Sequence, residues 1–136
     1  MKKIALALVL AFSLSSAGDY TKEDRIRDMN QMAEAMNIIQ SGFFYNNYET
    51  VVQGVTQLSD AVVRVKPPLE EKVEKDPMAR YMNQKIKMTN KITKKINQKA
   101  LTILERFKRG DSAQAVQAYT KIMGQCMKCH REIRNW

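Results

Sequence analysis

The two cysteines and the single histidine of this chain stand together as Cys126, Cys129 and His130. Residues three and four positions apart share one face of a helix. From such a face two sulfurs can reach one edge of a porphyrin while the imidazole reaches its iron. The Cys-x-x-Cys-His spacing is typical of covalent haem attachment. It predicts one haem c, bound through both thiols, with His130 as an iron ligand.

Three other chemistries use two cysteines at this spacing. A disulfide between them would close a loop too short to constrain the unfolded chain. A thioredoxin-like redox pair opens a helix after a strand, whereas this motif lies deep in a helical pattern. A zinc site would need a fourth ligand beyond three that fall within five residues. A helical scaffold that binds zinc is therefore the alternative outside the haem proteins.

The first helix that must position this chemistry is predicted from Thr21 to Ser41, where apolar residues recur at helical spacing. Gly42 is expected to end it, and residues 43–46 to form a short aromatic turn. The predicted inward stripe contains Ile26, Met29, Ala33, Met36 and Ile39.

The second and third helices have clear boundary signals. Asn47 can cap the second helix, and the Pro67-Pro68 pair ends it. A charged connector follows over residues 69–76. Pro77 then suits the first turn of a long third helix, which is expected to reach about Lys108.

The fourth helix carries the motif. Gly110 breaks the third helix, and Asp111 or Ser112 caps a fourth from Ala113 to about Arg134. Its predicted buried residues are Val116, Tyr119, Ile122 and Met123. The sequence has no strand pattern. Four amphipathic helices joined by short links predict an all-α, antiparallel four-helix bundle with the haem-attachment motif in its last helix.

Residues 1–17 are predicted to be a secretory signal. Lys2 and Lys3 precede the apolar stretch Ile4–Leu14, which is too short to span a bilayer. We expect cleavage before Gly18, one bundle domain over residues 18–136, and a periplasmic location. An uncleaved signal that anchors the chain to the inner membrane is the alternative.

The charge of the chain restricts its partners. There are 23 Lys and Arg against 14 Asp and Glu, which gives a formal net charge of +9. A basic surface of this kind favours acidic partners or anionic lipid. It does not indicate nucleic acid, because the basic residues are spread along helices and no motif interleaves them with aromatic residues.

A signal-bearing, four-helix chain with this motif near its C-terminal end resembles the class II cytochromes c, the cytochrome c′ family and its low-spin relatives. Gly42, the segment 124–130 and Arg134 carry the resemblance. It implies a periplasmic mono-haem protein that transfers electrons to or from a redox partner, transforms no substrate, and forms a homodimer. The basic charge predicts that this partner is acidic.

In this family the second axial position of the iron is supplied by the first helix, and two registers compete for it here. The low-spin relatives place a ligating Met four residues after an Arg, which Arg25 and Met29 match. A gapless match anchored on Gly42 instead places Ile26 there, as in five-coordinate members whose open apolar pocket binds nitric oxide or carbon monoxide. We expect electron transfer with Met29 as the ligand, and gas binding is the alternative.

Other residues of the first and last helices are candidates for supporting roles at the haem. Met32 and Met36 are further thioethers on the first helix that could ligate the iron in place of Met29. Arg25 and Arg134 could each pair with a haem propionate, because a guanidinium binds a carboxylate in a bidentate manner.

Overall fold

The computed structural model describes residues 20–66 and 77–134, which form four helices and no strand. The helices are α1 (Lys22–Phe44), α2 (Tyr48–Arg64), α3 (Pro77–Lys108) and α4 (Ser112–Arg134). The predicted signal at 1–17 and the predicted connector at 69–76 lie outside the described residues. Among the described helices, none combines the length and hydropathy that a membrane crossing needs.

The helices alternate in direction. Phe43 near the end of α1 packs against Phe107 near the end of α3, with ring centroids 5.3 Å apart. It also packs edge-on against Tyr119 near the start of α4, at 5.7 Å. At the other end of the bundle, Arg64 of α2 pairs with Asp28 of α1. The described helices therefore have the all-α, alternating arrangement that the sequence predicts.

Helix boundaries follow the local chemistry of the capping residues. The Thr21 side chain accepts a hydrogen bond from the backbone of Asp24, whose carboxylate accepts one in return, which is a capping box at the start of α1. Asn47 caps α2 through Oδ1, as predicted. Of the two caps predicted for α4, Asp111 is the one observed, since its Oδ1 accepts from the Gln114 backbone N–H at 3.1 Å.

Gly42 does not end α1, so that prediction is wrong. The helix continues to Phe44, and the turn lies at residues 45–47, where Asn46 takes a φ of +47°. Gly42 is buried where α1 meets α2: a Cβ there would stand 2.6 Å from Val51 Cγ2 and 2.9 Å from Val51 N. Gly42 therefore allows a close helix contact.

Gly54 on α2 makes the matching approach to α1. A Cβ at Gly54 would stand 2.8 Å from the backbone N of Ile39 and 2.9 Å from the backbone O of Ala35. Backbone atoms cannot rotate away as a side chain can. The spacing between α1 and α2 therefore depends on the absence of a side chain at this position.

The buried face of α1 differs from the predicted stripe. Ile26 is 48% exposed and Ala33 is exposed, whereas Met32 and Ala35 are buried. Met36 and Ile39 are buried as predicted. Close packing against Gly54 turns Ala35 and Ile39 inward, and of these two the predicted stripe included only Ile39.

The buried face of α4 is also displaced from the prediction. Val116 and Met123 are 45% and 50% exposed, while the core side of the helix is formed by Ala115, Ala118 and Ile122. Small alanine side chains let α4 approach its neighbours closely. The hydropathy pattern favoured the larger residues instead. Its assignment of Ile122 to the core is confirmed, and Tyr119 is partly buried and packs against the core.

Candidate functional site

All three residues of the Cys-x-x-Cys-His motif line one cavity, which lies between α1, α3 and α4. Cys126 and Cys129 are half-buried and pack against the hydrophobic core. His130 lies in the same wall. The cavity measures about 330 Å³, within the range of cofactor and ligand pockets. The helical spacing of the motif thus places two thiols and one imidazole at a single apolar space.

Methionine is the most frequent residue type in the remainder of this cavity wall. Its lining includes the methionines Met29, Met32, Met36, Met123 and Met127. The first three belong to α1 and lie across the cavity from the motif helix. Thioether sulfur is soft and polarizable and is an axial ligand of iron in electron-transfer cytochromes. The structure therefore brings the predicted ligand Met29 to the same cavity as His130.

The three α1 methionines differ in their burial. Met32 and Met36 are 7% and 9% exposed and belong to the hydrophobic core. Met29 is half-buried and packs against the edge of that core. Of the three thioethers, that of Met29 is the least committed to core packing.

The cavity wall raises the pKa of both cysteine thiols above its usual value. For Cys126 the main cause is burial, and the nearby Cys129 adds to it. For Cys129 the cause is burial. An apolar surrounding disfavours the thiolate, so both residues are neutral thiols at neutral pH.

Two other residues predicted to face the haem, Ile26 and Arg25, are not in the lining of this cavity. Ile26 is not part of its lining and is half-exposed. Arg25 donates from Nη1 to the backbone oxygen of Tyr20 at 3.5 Å, and its guanidinium lies 5.9 Å from the Tyr20 ring centroid. Arg134 falls within α4, four residues after His130, and its side chain lies outside the described residues.

A buried polar network next to the cavity is absent from the sequence prediction. The Asp28 side chain is fully buried and accepts hydrogen bonds from Tyr20 Oη at 2.8 Å and from Arg64 Nε at 3.0 Å. Burial and the bond to Asp28 raise the pKa of Tyr20 to about 12. The network fixes the residue directly before Met29 to the end of α2.

One sequence signal could have revealed this network. Asp28 stands four residues before Met32 and seven before Ala35, on the face of α1 that is buried. A carboxylate on a buried face needs a donor or a cation.

In residues 20–66 and 77–132 no three His, Cys, Asp or Glu side chains converge as metal ligands.

Comparisons with known proteins gave no match to a family model, to a curated protein or to a solved structure. The resemblance to the class II cytochromes c is thus carried by the motif and the order of the helices.

Proposed function

We propose that this chain is an exported mono-haem c-type cytochrome that transfers electrons. The observation that carries the proposal is the single cavity whose wall contains Cys126, Cys129 and His130 from α4 and three methionines from α1. Two thiols for covalent attachment, an imidazole and facing thioethers are the donor set of a low-spin c-type haem with His and Met ligands.

The cavity provides the residues that would attach and ligate a haem, and the chemistry of the rest of its lining also suits a haem. Apolar side chains surround the thiols, and among the described residues the polar side chains of the lining are Asn37, Thr93 and Tyr119 besides His130. A bound haem would supply one-electron Fe(II)/Fe(III) chemistry. Cys126 and Cys129 would anchor it, His130 would ligate it, and the apolar wall would exclude water.

Met29 is the best-placed second axial ligand. It lines the cavity from the helix opposite the motif, it is not fully engaged in the core, and its neighbour Asp28 fixes the backbone beside it. The alternative distal residue, Ile26, lies outside the cavity lining. This placement favours an electron carrier with a Met ligand over a protein whose vacant iron binds nitric oxide or carbon monoxide.

We also propose that the chain is exported and that two copies of it form a homodimer. Residues 1–17 would direct the chain to the periplasm, where haem is attached to the mature domain at residues 18–136. N-terminal sequencing of protein purified from the periplasmic fraction tests this, with Gly18 expected as the first residue. Sedimentation of the holoprotein tests the homodimer that the family resemblance implies.

Acid-acetone extraction of protein produced with a haem-attachment system tests the central proposal. Colour should stay with the polypeptide, and Cys126→Ser with Cys129→Ser should yield little coloured protein. Met127→Ala is the matched control, because it alters the motif interior and leaves all three anchoring groups in place. Haem that partitions into the organic phase would refute covalent attachment. A colourless protein that binds zinc would support the scaffold alternative instead.

A further inference from the structure

Positive charge is concentrated on one side of the bundle. Residues 77–104, most of α3, contain seven basic and no acidic residues. Residues 20–66, which include α1 and α2, contain six acidic and five basic residues. The α3 side is therefore strongly basic, whereas the α1–α2 side is close to neutral.

Four lysines line a groove between α3 and α4. They are Lys87, Lys91 and Lys95 of α3 and Lys128 of α4. The groove measures about 310 Å³, and no carboxylate of residues 20–66 or 77–132 lines it. Within the described part of the chain, none of these four ammonium groups forms an ion pair or a hydrogen bond with a side chain or the backbone.

The spacing of the three α3 lysines opposes folding. Lys87, Lys91 and Lys95 follow one another at intervals of four residues, and like charges at that interval destabilise a helix. A single carboxylate at the central position would turn two repulsive pairs into attractive ones. Because fold stability does not account for the cluster, an external counter-charge is its most direct explanation.

The groove lies next to the proposed haem cavity. Ile92 lines both the groove and the cavity, so one side chain separates them. On α4, Gln125 and Lys128 line the groove, and the adjacent Cys126 and Cys129 line the cavity. A molecule seated in the groove would be one layer of side chains from the cofactor.

We propose that this α3–α4 groove is the docking surface for the carboxylate patch of an acidic protein. Met88 and Ile92 lie between the lysines in a recess. A protein can offer both carboxylates for the lysines and apolar side chains for Met88 and Ile92, and this mixed lining favours a protein over a lipid surface. That the partner is a redox protein rests on the proposed function, and the charge complementarity holds without it.

Binding of hexaglutamate to the holoprotein at low salt tests the surface directly. Amide chemical shifts should change at residues 87–95 and 124–129. Lys91→Glu should weaken binding by about tenfold or more, because it introduces repulsion at the centre of the contact. The same substitution should raise the melting temperature, since it relieves two repulsive pairs on α3. A residue with a purely structural role would not show gain of stability together with loss of affinity.

Lys94→Glu is the matched control. It changes the net charge by the same amount on the same helix, but Lys94 does not line the groove, so binding should weaken less than about twofold. Equal losses for the two variants would mean non-specific attraction and would overturn the proposal. So would binding to phosphatidylglycerol vesicles without binding to hexaglutamate.

Peptide binding is measured without electron transfer, so the two proposals can fail separately. If the protein carries no covalent haem but binds hexaglutamate in the groove, the docking-surface proposal stands and the cytochrome proposal fails. If the protein carries covalent haem but its groove lysines do not bind the peptide, only the docking-surface proposal fails.

Discussion

Arg64 Nε lies 3.0 Å from Asp28 Oδ1, and this ion pair joins the end of α2 to the first turns of α1. The Asp28 side chain is fully buried, whereas that of Arg64 is 44% exposed. The two partners therefore stand in different surroundings. Loss of Arg64 leaves a buried carboxylate without its cation, whereas loss of Asp28 leaves a guanidinium that water can reach.

Arg64→Met should therefore destabilise the protein more than Asp28→Asn. An uncompensated buried charge costs about 3 kcal/mol or more, whereas replacement of the carboxylate by an amide loses hydrogen bonds worth about 1–2 kcal/mol. Urea unfolding monitored by circular dichroism measures both. Arg27→Met is the control, because it breaks the exposed pair with Asp24 and should cost less than about 1 kcal/mol. A cost for Arg64→Met no larger than that of the control would contradict the prediction.

Stability should fall as pH rises from about 10 to about 12, and Tyr20 should cause part of the fall. Burial and Asp28 raise the pKa of Tyr20 to about 12 from its usual 10.0. A group whose pKa is higher in the folded state contributes stability below its unfolded pKa and loses it as pH passes the folded pKa. Denaturation at several pH values should show a shallower fall for Tyr20→Phe. Tyr45→Phe, at an 82% exposed position, should leave the profile unchanged.

Met29→Ala should change the state of the haem iron without unfolding the bundle. Loss of a thioether ligand should abolish the weak charge-transfer band of ferric iron near the red edge of the visible spectrum and lower the reduction potential. It should also allow carbon monoxide to bind. Absorption spectra of the oxidised and reduced holoprotein measure these changes.

Met32→Ala is the matched control for that experiment. Met32 lines the same cavity on the same helix, but it is buried in the core. Its truncation should cost about 2–5 kcal/mol of stability and leave the band in place. Wild-type protein that is already high-spin and binds carbon monoxide freely would make Met29 a packing residue and favour the gas-binding alternative.

Two glycine substitutions should change stability in opposite directions. Gly54→Ala places a methyl group against the backbone of α1 and should destabilise by about 1–3 kcal/mol. Gly124→Ala lies in α4, where the new Cβ would meet no neighbouring helix within 4 Å, and should stabilise by up to about 1 kcal/mol through helix propensity. Thermal or urea unfolding of both variants gives the comparison. Effects of the same sign would mean that helix spacing does not limit position 54.

Local chemistry made the helix order predictable from the sequence. Asn47 and Asp111 cap their own helices through bonds that span three residues, and Pro77 begins α3 because it fits a first turn. The motif was equally readable, since Cys126 and His130 share a face by helical geometry alone. These features need no knowledge of the neighbouring helices.

Features set by distant parts of the chain were not predictable in this way. Gly42 looked like a helix end, but its role is set by Val51 on the next helix. The ion pair of Asp28 depends on Arg64, which lies 36 residues later in the chain and is brought beside it only by the fold. Ala118 rather than Val116 is a core residue of α4 because of how closely the neighbouring helices approach α4. The hydropathy pattern of the sequence carries no information about that distance.

The uneven charge of the bundle makes the molecule an electric dipole, with its positive end at α3. In the field of a distant acidic surface such a dipole experiences a torque, which turns the Lys91 side toward that surface before the two touch. The effect extends over about one screening length, roughly 8 Å at physiological ionic strength. Salt should therefore slow the formation of encounter complexes more than it shortens their lifetime.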